Sequence, residues 1–211
     1  SITGGAGVDH IKGGDGNDII VVADDASFKV SGGVETVDGG AGTDTLAFTE
    51  AAGLTLTAPE LSKLVGIEKI TLAGNSAQSL TFGNETFTSL GQDTLTITTT
   101  TANTTTTIDG SAVTNGSFIM IADVTTADQD TLIGGSGDDI FRFAGGTGGA
   151  RGLTSADSVN GNAGTDTIQV DNTAAVTIDM DFNNVRNIEQ VTVYTSAATG
   201  LTAGALVIEI A

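Results

Sequence analysis

Along most of this chain apolar residues recur at every second position: Leu54 and Leu56, Ile70 and Leu72, Leu80 and Phe82, Leu95 and Ile97, Ile119 and Ile121, Val176 and Ile178, Val191 and Val193, Leu206 and Ile208. A two-residue period places the apolar members on one face of an extended segment, so each stretch reads as a half-buried β-strand. Gly, Asn and Thr fill the intervals between them. Such short strands suit a solenoid or a sandwich better than a helical fold. Only Pro59 to Leu64 carries a helical pattern, with Thr57 placed to cap it and Pro59 near the first turn, so at most one short helix is expected. The Thr-rich stretch from Thr94 to Thr107 has a composition that a linker could share, yet Leu95, Ile97, Ile108 and the many β-branched residues favour strands.

Between the strands lies a second pattern. Gly4 to Lys12 and Gly13 to Val21 are consecutive copies of the nonapeptide G-G-x-G-x-D-x-U-x, where U is a large apolar residue. Gly39 to Ala47, Gly134 to Arg142 and Gly161 to Gln169 fit as well, the last with Asn162 at the second glycine, and Thr125 to Ile133 is a degenerate copy that keeps Asp130 and Leu132. The nonapeptide resembles the calcium-binding repeat of RTX proteins. The physical chemistry agrees with that resemblance. Glycine permits the positive φ of a sharp turn and lets carbonyl oxygens approach a cation, while the aspartate supplies charge. Calcium takes six to eight oxygen ligands at roughly 2.3 to 2.6 Å. On this reading the fold is an all-β, calcium-binding parallel β-roll or β-solenoid. Two nonapeptides form one coil, and carboxylates eighteen residues apart stack at the strand spacing of about 4.8 Å.

The repeats are themselves repeated. Gly13 matches Gly134, Gly39 matches Gly161, and Gly66-Ile67-Glu68 matches Asn187-Ile188-Glu189, at offsets of 121 or 122 residues. Two modules are therefore expected, residues 1–124 and a C-terminally shortened 125–211. Eighteen-residue stacking would set Asp139 on Asp157 and Asp18 on Glu35, with Asp24 or Asp25 able to fill in where one residue is missing from the first copy. The candidate metal ligands are Gly5, Gly7, Asp9, Gly14, Asp15, Gly16, Asp18, Asp24, Asp25, Glu35, Gly40, Gly42 and Asp44 in the first module. In the second they are Asp130, Gly135, Gly137, Asp139, Asp157, Gly164 and Asp166. Each cluster is expected to take about one to three Ca2+ ions.

Composition narrows the picture. Seven Lys plus Arg against 26 Asp plus Glu leave a formal charge of −19, which repels nucleic acid and anionic membranes and makes cations the natural partner. Nineteen of the acids are Asp, the carboxylate suited to turns. The absence of cysteine rules out disulfides and thiolate metal sites, and no apolar run approaches a membrane span. A chain that begins at Ser1 without a signal peptide or initiator methionine is expected to be a piece of a longer protein.

Other chemistry finds little support. His10 follows Asp9 at a strand position, and with no second His or Cys it has no partner for zinc. The acid pairs Asp15 with Asp18, Asp138 with Asp139 and Asp179 with Asp181 resemble glycosidase carboxylates only in composition; calcium ligation or solvation accounts for them. No nucleophile stands beside a base, so no enzyme is expected. The sequons at Asn84, Asn103 and Asn115 are ordinary in a Thr-rich chain.

Beyond the nonapeptides, the Cys-free, Thr/Ala/Asn/Gly-rich composition, the paired Gly66-Ile67-Glu68 and Asn187-Ile188-Glu189 motifs, and Ile108-Asp109-Gly110-Ser111-Ala112-Val113 resemble the surface-layer branch of the RTX group. That resemblance implies export by type I secretion, disorder at low cytoplasmic calcium, and folding outside a bacterial cell. It further implies self-association in a lattice at the cell surface, with any glycan or lipopolysaccharide anchor outside this chain. The rival it leaves open is the C-terminal folding and secretion module of an RTX adhesin or exported hydrolase.

Overall fold

The computed structural model describes residues 1–4, 9–22, 36–49, 53–74, 76–100, 105–122, 129–144, 153–171 and 182–194. Its main wall is a nine-stranded parallel sheet built from β1 (Ile2–Thr3), β3 (Ile19–Val22), β5 (Thr45–Phe48), β8 (Lys69–Leu72), β10 (Thr94–Thr99), β12 (Ser117–Ala122), β14 (Ile140–Ala144), β16 (Thr167–Asp171) and β18 (Gln190–Tyr194), in that order. Facing strands form two further parallel sheets. One contains β2 (His10–Asp15), β4 (Thr36–Ala41) and β7 (Leu64–Val65); the other runs β6 (Thr55–Leu56), β9 (Gln78–Thr81), β11 (Thr106–Asp109), β13 (Thr131–Ile133), β15 (Ser158–Asn160) and β17 (Val185–Arg186). Consecutive strands of one sheet belong to successive coils, so the fold is a β-solenoid of the β-roll kind.

Like stacks on like in such a coil, because the register brings the same inward position of each turn one above the next. Ile20, Leu46, Ile70, Ile97, Met120, Phe141 and Ile168 form one such column of the main sheet, each buried. Leu56, Leu80, Ile108, Leu132 and Val159 form its counterpart on the facing sheet. Burying a side chain of this size contributes roughly 1.5 to 3 kcal/mol. Leucines and isoleucines alternating with threonine are what a two-sided pleat needs: Ile70 and Leu72 face inward while Thr71 remains half-buried on the outside.

Three expectations require correction. Coils are longer than two nonapeptides: Ile2 does pair with Ile20, eighteen residues on, but Ile140 pairs with Thr167 and Ile19 with Thr45. Each of these longer coils holds a main-sheet strand and a facing strand as well as the turn. In β12 the inward residues are Phe118, Met120 and Ala122, with Ile119 and Ile121 half-buried on the outer face, the reverse of the face their alternation suggested. A second helix joins the expected one.

Helix α1 (Ala58–Leu61) follows Thr57 as expected, and the Glu60 carboxylate accepts the Thr57 amide hydrogen at 2.8 Å. Helix α2 (Asn84–Leu90) buries Thr86, Phe87 and Leu90 and ends at Gly91, whose φ of 73° is the left-handed C-terminal stop. Phe87 meets Phe118 edge-on with ring centroids 5.1 Å apart, which fastens the helix to the core. The segments around Val176–Ile178 and Leu206–Ile208 lie outside the described residues.

Candidate metal centre

The Gly-Asp turns stack at one corner of the solenoid, just before each strand of the main sheet. Residues 13–18 lie next to 39–44, and these next to the short turn 66–68; residues 134–139, 161–166 and 187–189 repeat the arrangement. Between the two groups this corner is occupied by α2 and by the turn of residues 110–116. The Leu90 carbonyl accepts the Gly66 amide hydrogen at 3.3 Å, and the Val113 carbonyl accepts that of Ser136 at 2.9 Å.

Asp44, Asp139 and Asp166 each reach across to the neighbouring coil. The Asp18 amide donates to Asp44 Oδ1 at 2.7 Å and the Asp44 amide to Glu68 Oε2 at 2.7 Å. In the second group the Phe118 amide donates to Asp139 Oδ1 at 2.6 Å, the Asp139 amide to Asp166 Oδ1 at 2.8 Å, and the Asp166 amide to Glu189 Oε2 at 2.7 Å. A carboxylate ladder thus satisfies the amides at the corner, where the sheet has not yet begun. Asp139 stacks on Asp166, so its expected pairing with Asp157 does not occur; Asp18 stacks on Asp44, and its expected partner Glu35 lies outside the described residues. Coils of 26 and 27 residues, rather than 18, move the partner one nonapeptide further along.

A parallel ladder runs at the opposite corner. The Thr106 amide donates to Asp130 Oδ1 and the Asp130 amide to Asp157 Oδ1, both at 2.9 Å, while Asp157 Oδ2 accepts from the Thr154 amide at 2.7 Å. Asp9, 121 residues earlier, holds the position equivalent to Asp130. Its carbonyl accepts the Thr36 amide hydrogen at 3.2 Å. Gly5, Gly7, Asp24, Asp25 and Glu35 lie outside the described residues.

The turn backbone follows from its glycines. Gly14, Gly16, Gly40, Gly42 and Gly164 have φ between 96° and 147°, a region costly for any residue with a Cβ. Asn162, where the motif has glycine, adopts φ 69°, which Asn tolerates, and its Nδ2 donates to the Gly134 carbonyl at 2.8 Å. Gly135 and Gly137 do not share the positive φ of the other turns; the Gly135 amide instead donates to Asp139 Oδ2 at 2.7 Å. Asp15 is exposed and stacks on Ala41.

Oxygen atoms gather at the first glycine of each motif. Beside Gly39, the Gly66 carbonyl oxygen and Asp44 Oδ2 crowd the point where a Cβ would stand; beside Gly161, the Asn187 carbonyl oxygen and Asp166 Oδ2 do the same. Asp44, Asp139 and Asp166 are fully buried. Asp9 Oδ2, Asp44 Oδ2 and Asp166 Oδ2 are buried with no hydrogen-bond donor. Buried carboxylate oxygens facing carbonyl oxygens without a donor between them require a proton or a cation. Burial pushes the Asp139 carboxyl up to about 6, against the amide bonds from Phe118 and Gly135. Asp166 is raised as well, mainly by burial and further by the nearby Glu189 charge.

The donor set fits calcium: hard oxygen ligands, carbonyls and carboxylates together, in turns of high negative charge. Among the described residues no three acidic or imidazole groups converge on one point. The oxygen supply is accordingly carbonyl-rich. Sequence reasoning missed the carboxylates of Glu68 and Glu189 as members of the ladder. It also missed Asn17 and Asp138, whose Oδ1 atoms accept the Thr43 and Thr165 amides one coil away at 2.9 and 2.7 Å. The recurrence of Gly66-Ile67-Glu68 at 187–189 was the available signal.

Residues 1–26, 31–47, 124–149 and 150–172 match four copies of the RTX calcium-binding nonapeptide repeat. Searches of the curated proteins and of the solved structures found no match. Oxygen-lined Gly-Asp turns stack at the corner of a parallel solenoid and the repeat itself is matched four times, so the chain carries RTX-type calcium-binding repeats on a β-roll fold, with calcium as their cofactor.

Proposed function

We propose that this chain is part of a bacterial surface-layer protein whose folding and self-assembly are gated by extracellular calcium. The observation that carries the reading is the buried, donor-less oxygen of Asp44 and of Asp166, each set against a carbonyl of the adjoining turn. Without a cation those oxygens destabilise the coil; with one they become ligands, and binding energy available only to the folded state becomes folding energy. The ions would be held by the carbonyls of the Gly14, Gly16, Gly40 and Gly42 turns with Asp18 and Asp44. In the second copy the Gly135, Gly137 and Gly164 turns would act with Asp139 and Asp166. Residues 1–124 and 125–211 would then be two modules, each with its own calcium cluster.

RTX repeats are typical of secreted proteins, and among the described residues no helix is long and apolar enough to cross a membrane. A structural role is supported by the long uninterrupted sheet and by side chains spent on ladders. The lattice is supported by the composition and motifs shared with surface-layer proteins. Electron microscopy of the full-length protein tests it. Ordered two-dimensional sheets with millimolar calcium and dispersed molecules with chelator are expected. Persistently dispersed molecules in calcium would contradict the lattice and favour the folding module of an adhesin or hydrolase.

A further inference from the structure

The turn stack in each module does not end with its last nonapeptide. Gly66-Ile67-Glu68 follows the 39–44 turn and Asn187-Ile188-Glu189 follows 161–166, and neither fits the repeat. Both nevertheless occupy the next level of the stack, since Lys69 pairs with Thr45 and Gln190 with Thr167. They share their geometry: Gly66 and Asn187 are left-handed, at φ 56° and 52°, and each aims its carbonyl oxygen at the first glycine of the preceding nonapeptide. Glu68 Oε2 and Glu189 Oε2 accept the amide hydrogens of Asp44 and Asp166, each at 2.7 Å.

We propose that Glu68 and Glu189 are calcium ligands that complete the last site of each stack, Glu68 with Asp44 and the Gly66 carbonyl, Glu189 with Asp166 and the Asn187 carbonyl. This rests on the calcium reading of the nonapeptides and extends it to residues outside them. Three observations converge. The buried Oδ2 atoms of Asp44 and Asp166, the two motif aspartates next to these glutamates, have no donor. One carboxylate is a single charge, and the glutamate supplies the second, which matches a divalent ion. Only one oxygen of each glutamate is used by the amide, so the other is available to the metal. The choice of Glu over Asp also has a reason. These turns are three residues where the nonapeptide turn has six, and the extra methylene restores the reach. Beyond Glu68 the column turns apolar at Leu95 and Phe118, both fully buried, so the glutamate closes the charged stack.

The competing explanation is that each glutamate only accepts an amide hydrogen. Glu68→Gln and Glu189→Gln separate the two, because glutamine keeps an acceptor for the amide and removes the charge. Calcium titrations of the full chain, read by equilibrium dialysis for stoichiometry and by far-ultraviolet circular dichroism for folding, are compared with wild type and with Glu85→Gln on the exposed face of α2. Each ladder variant is expected to lose an ion or to need about tenfold more calcium for it, with Glu85→Gln unchanged. Should Glu68→Gln fail to fold, Glu189→Gln reads the equivalent site in the other module. Curves of both ladder variants that superimpose on wild type overturn the proposal alone. A wild type that binds no calcium overturns both this proposal and the calcium-gated reading beneath it.

Discussion

A methyl group at Gly161 would stand where the Asn187 carbonyl and the Asp166 carboxylate already converge, so its glycine is required by space rather than by φ. Gly91 is the opposite case: left-handed at 73°, with nothing near a Cβ. Gly161→Ala is therefore expected to cost about 3 kcal/mol and Gly91→Ala only about 1 kcal/mol, measured by urea unfolding in saturating calcium. Equal costs would remove the argument that the motif glycines make room for oxygen. Protonation gives a second check. Asp139 is raised from an ordinary 3.8 to about 6, so the folded state holds its proton more tightly than the unfolded chain. Its contribution to metal-free stability is complete below about pH 4 and is lost as pH rises through 6. Glu60 is lowered by its bond to Thr57 and works in the other direction, at α1. In chelator, β-type circular dichroism should increase from pH 7 to pH 4.5, and Asp139→Asn should weaken that gain; a signal that falls on acidification would contradict it. The motif aspartates were legible in the sequence because their spacing is rigid. The partners of their amides were not, because these depend on coil length.

At the scale of elements, most strands followed from the two-residue period, and the failures have identifiable causes. In β12, Phe118-Ile119-Met120-Ile121 is apolar at four successive positions, so alternation does not say which pair faces inward. Stacking decides it, since Met120 lies between Ile97 and Phe141 in a filled column. Met120→Thr should therefore destabilise by about 2 to 4 kcal/mol and Ile119→Thr by less than about 1 kcal/mol, in chemical denaturation with calcium present. The reverse order would mean that the sheet faces the other way. Helix α2 escaped notice because Asn, Thr and Ser are poor helix formers. Phe87 and Leu90 three residues apart, bracketed by Gly83 and Gly91, were the clue. Tertiary packing against Phe118 supplies what propensity does not.

Across the whole molecule, one wall of nine strands carries two charged stacks separated by apolar levels. The repeat of 121 or 122 residues was readable from sequence, and its structural content is now specific: β2, β4 and β7 with β3, β5 and β8 correspond to β13, β15 and β17 with β14, β16 and β18. Coil length is not legible in the nonapeptides, because a pair of them makes up less than a whole turn of the longer coils. A net charge of −19 concentrates repulsion in a fold with few aromatic residues to hold it. Calcium binding then adds stability in proportion to the logarithm of its concentration over the dissociation constant. The most direct test of that coupling is far-ultraviolet circular dichroism of the whole chain at neutral pH, first with excess chelator and then with calcium restored to millimolar levels. The β-type signal should be lost in chelator and return with calcium, and a spectrum unchanged by either addition would contradict calcium-gated folding.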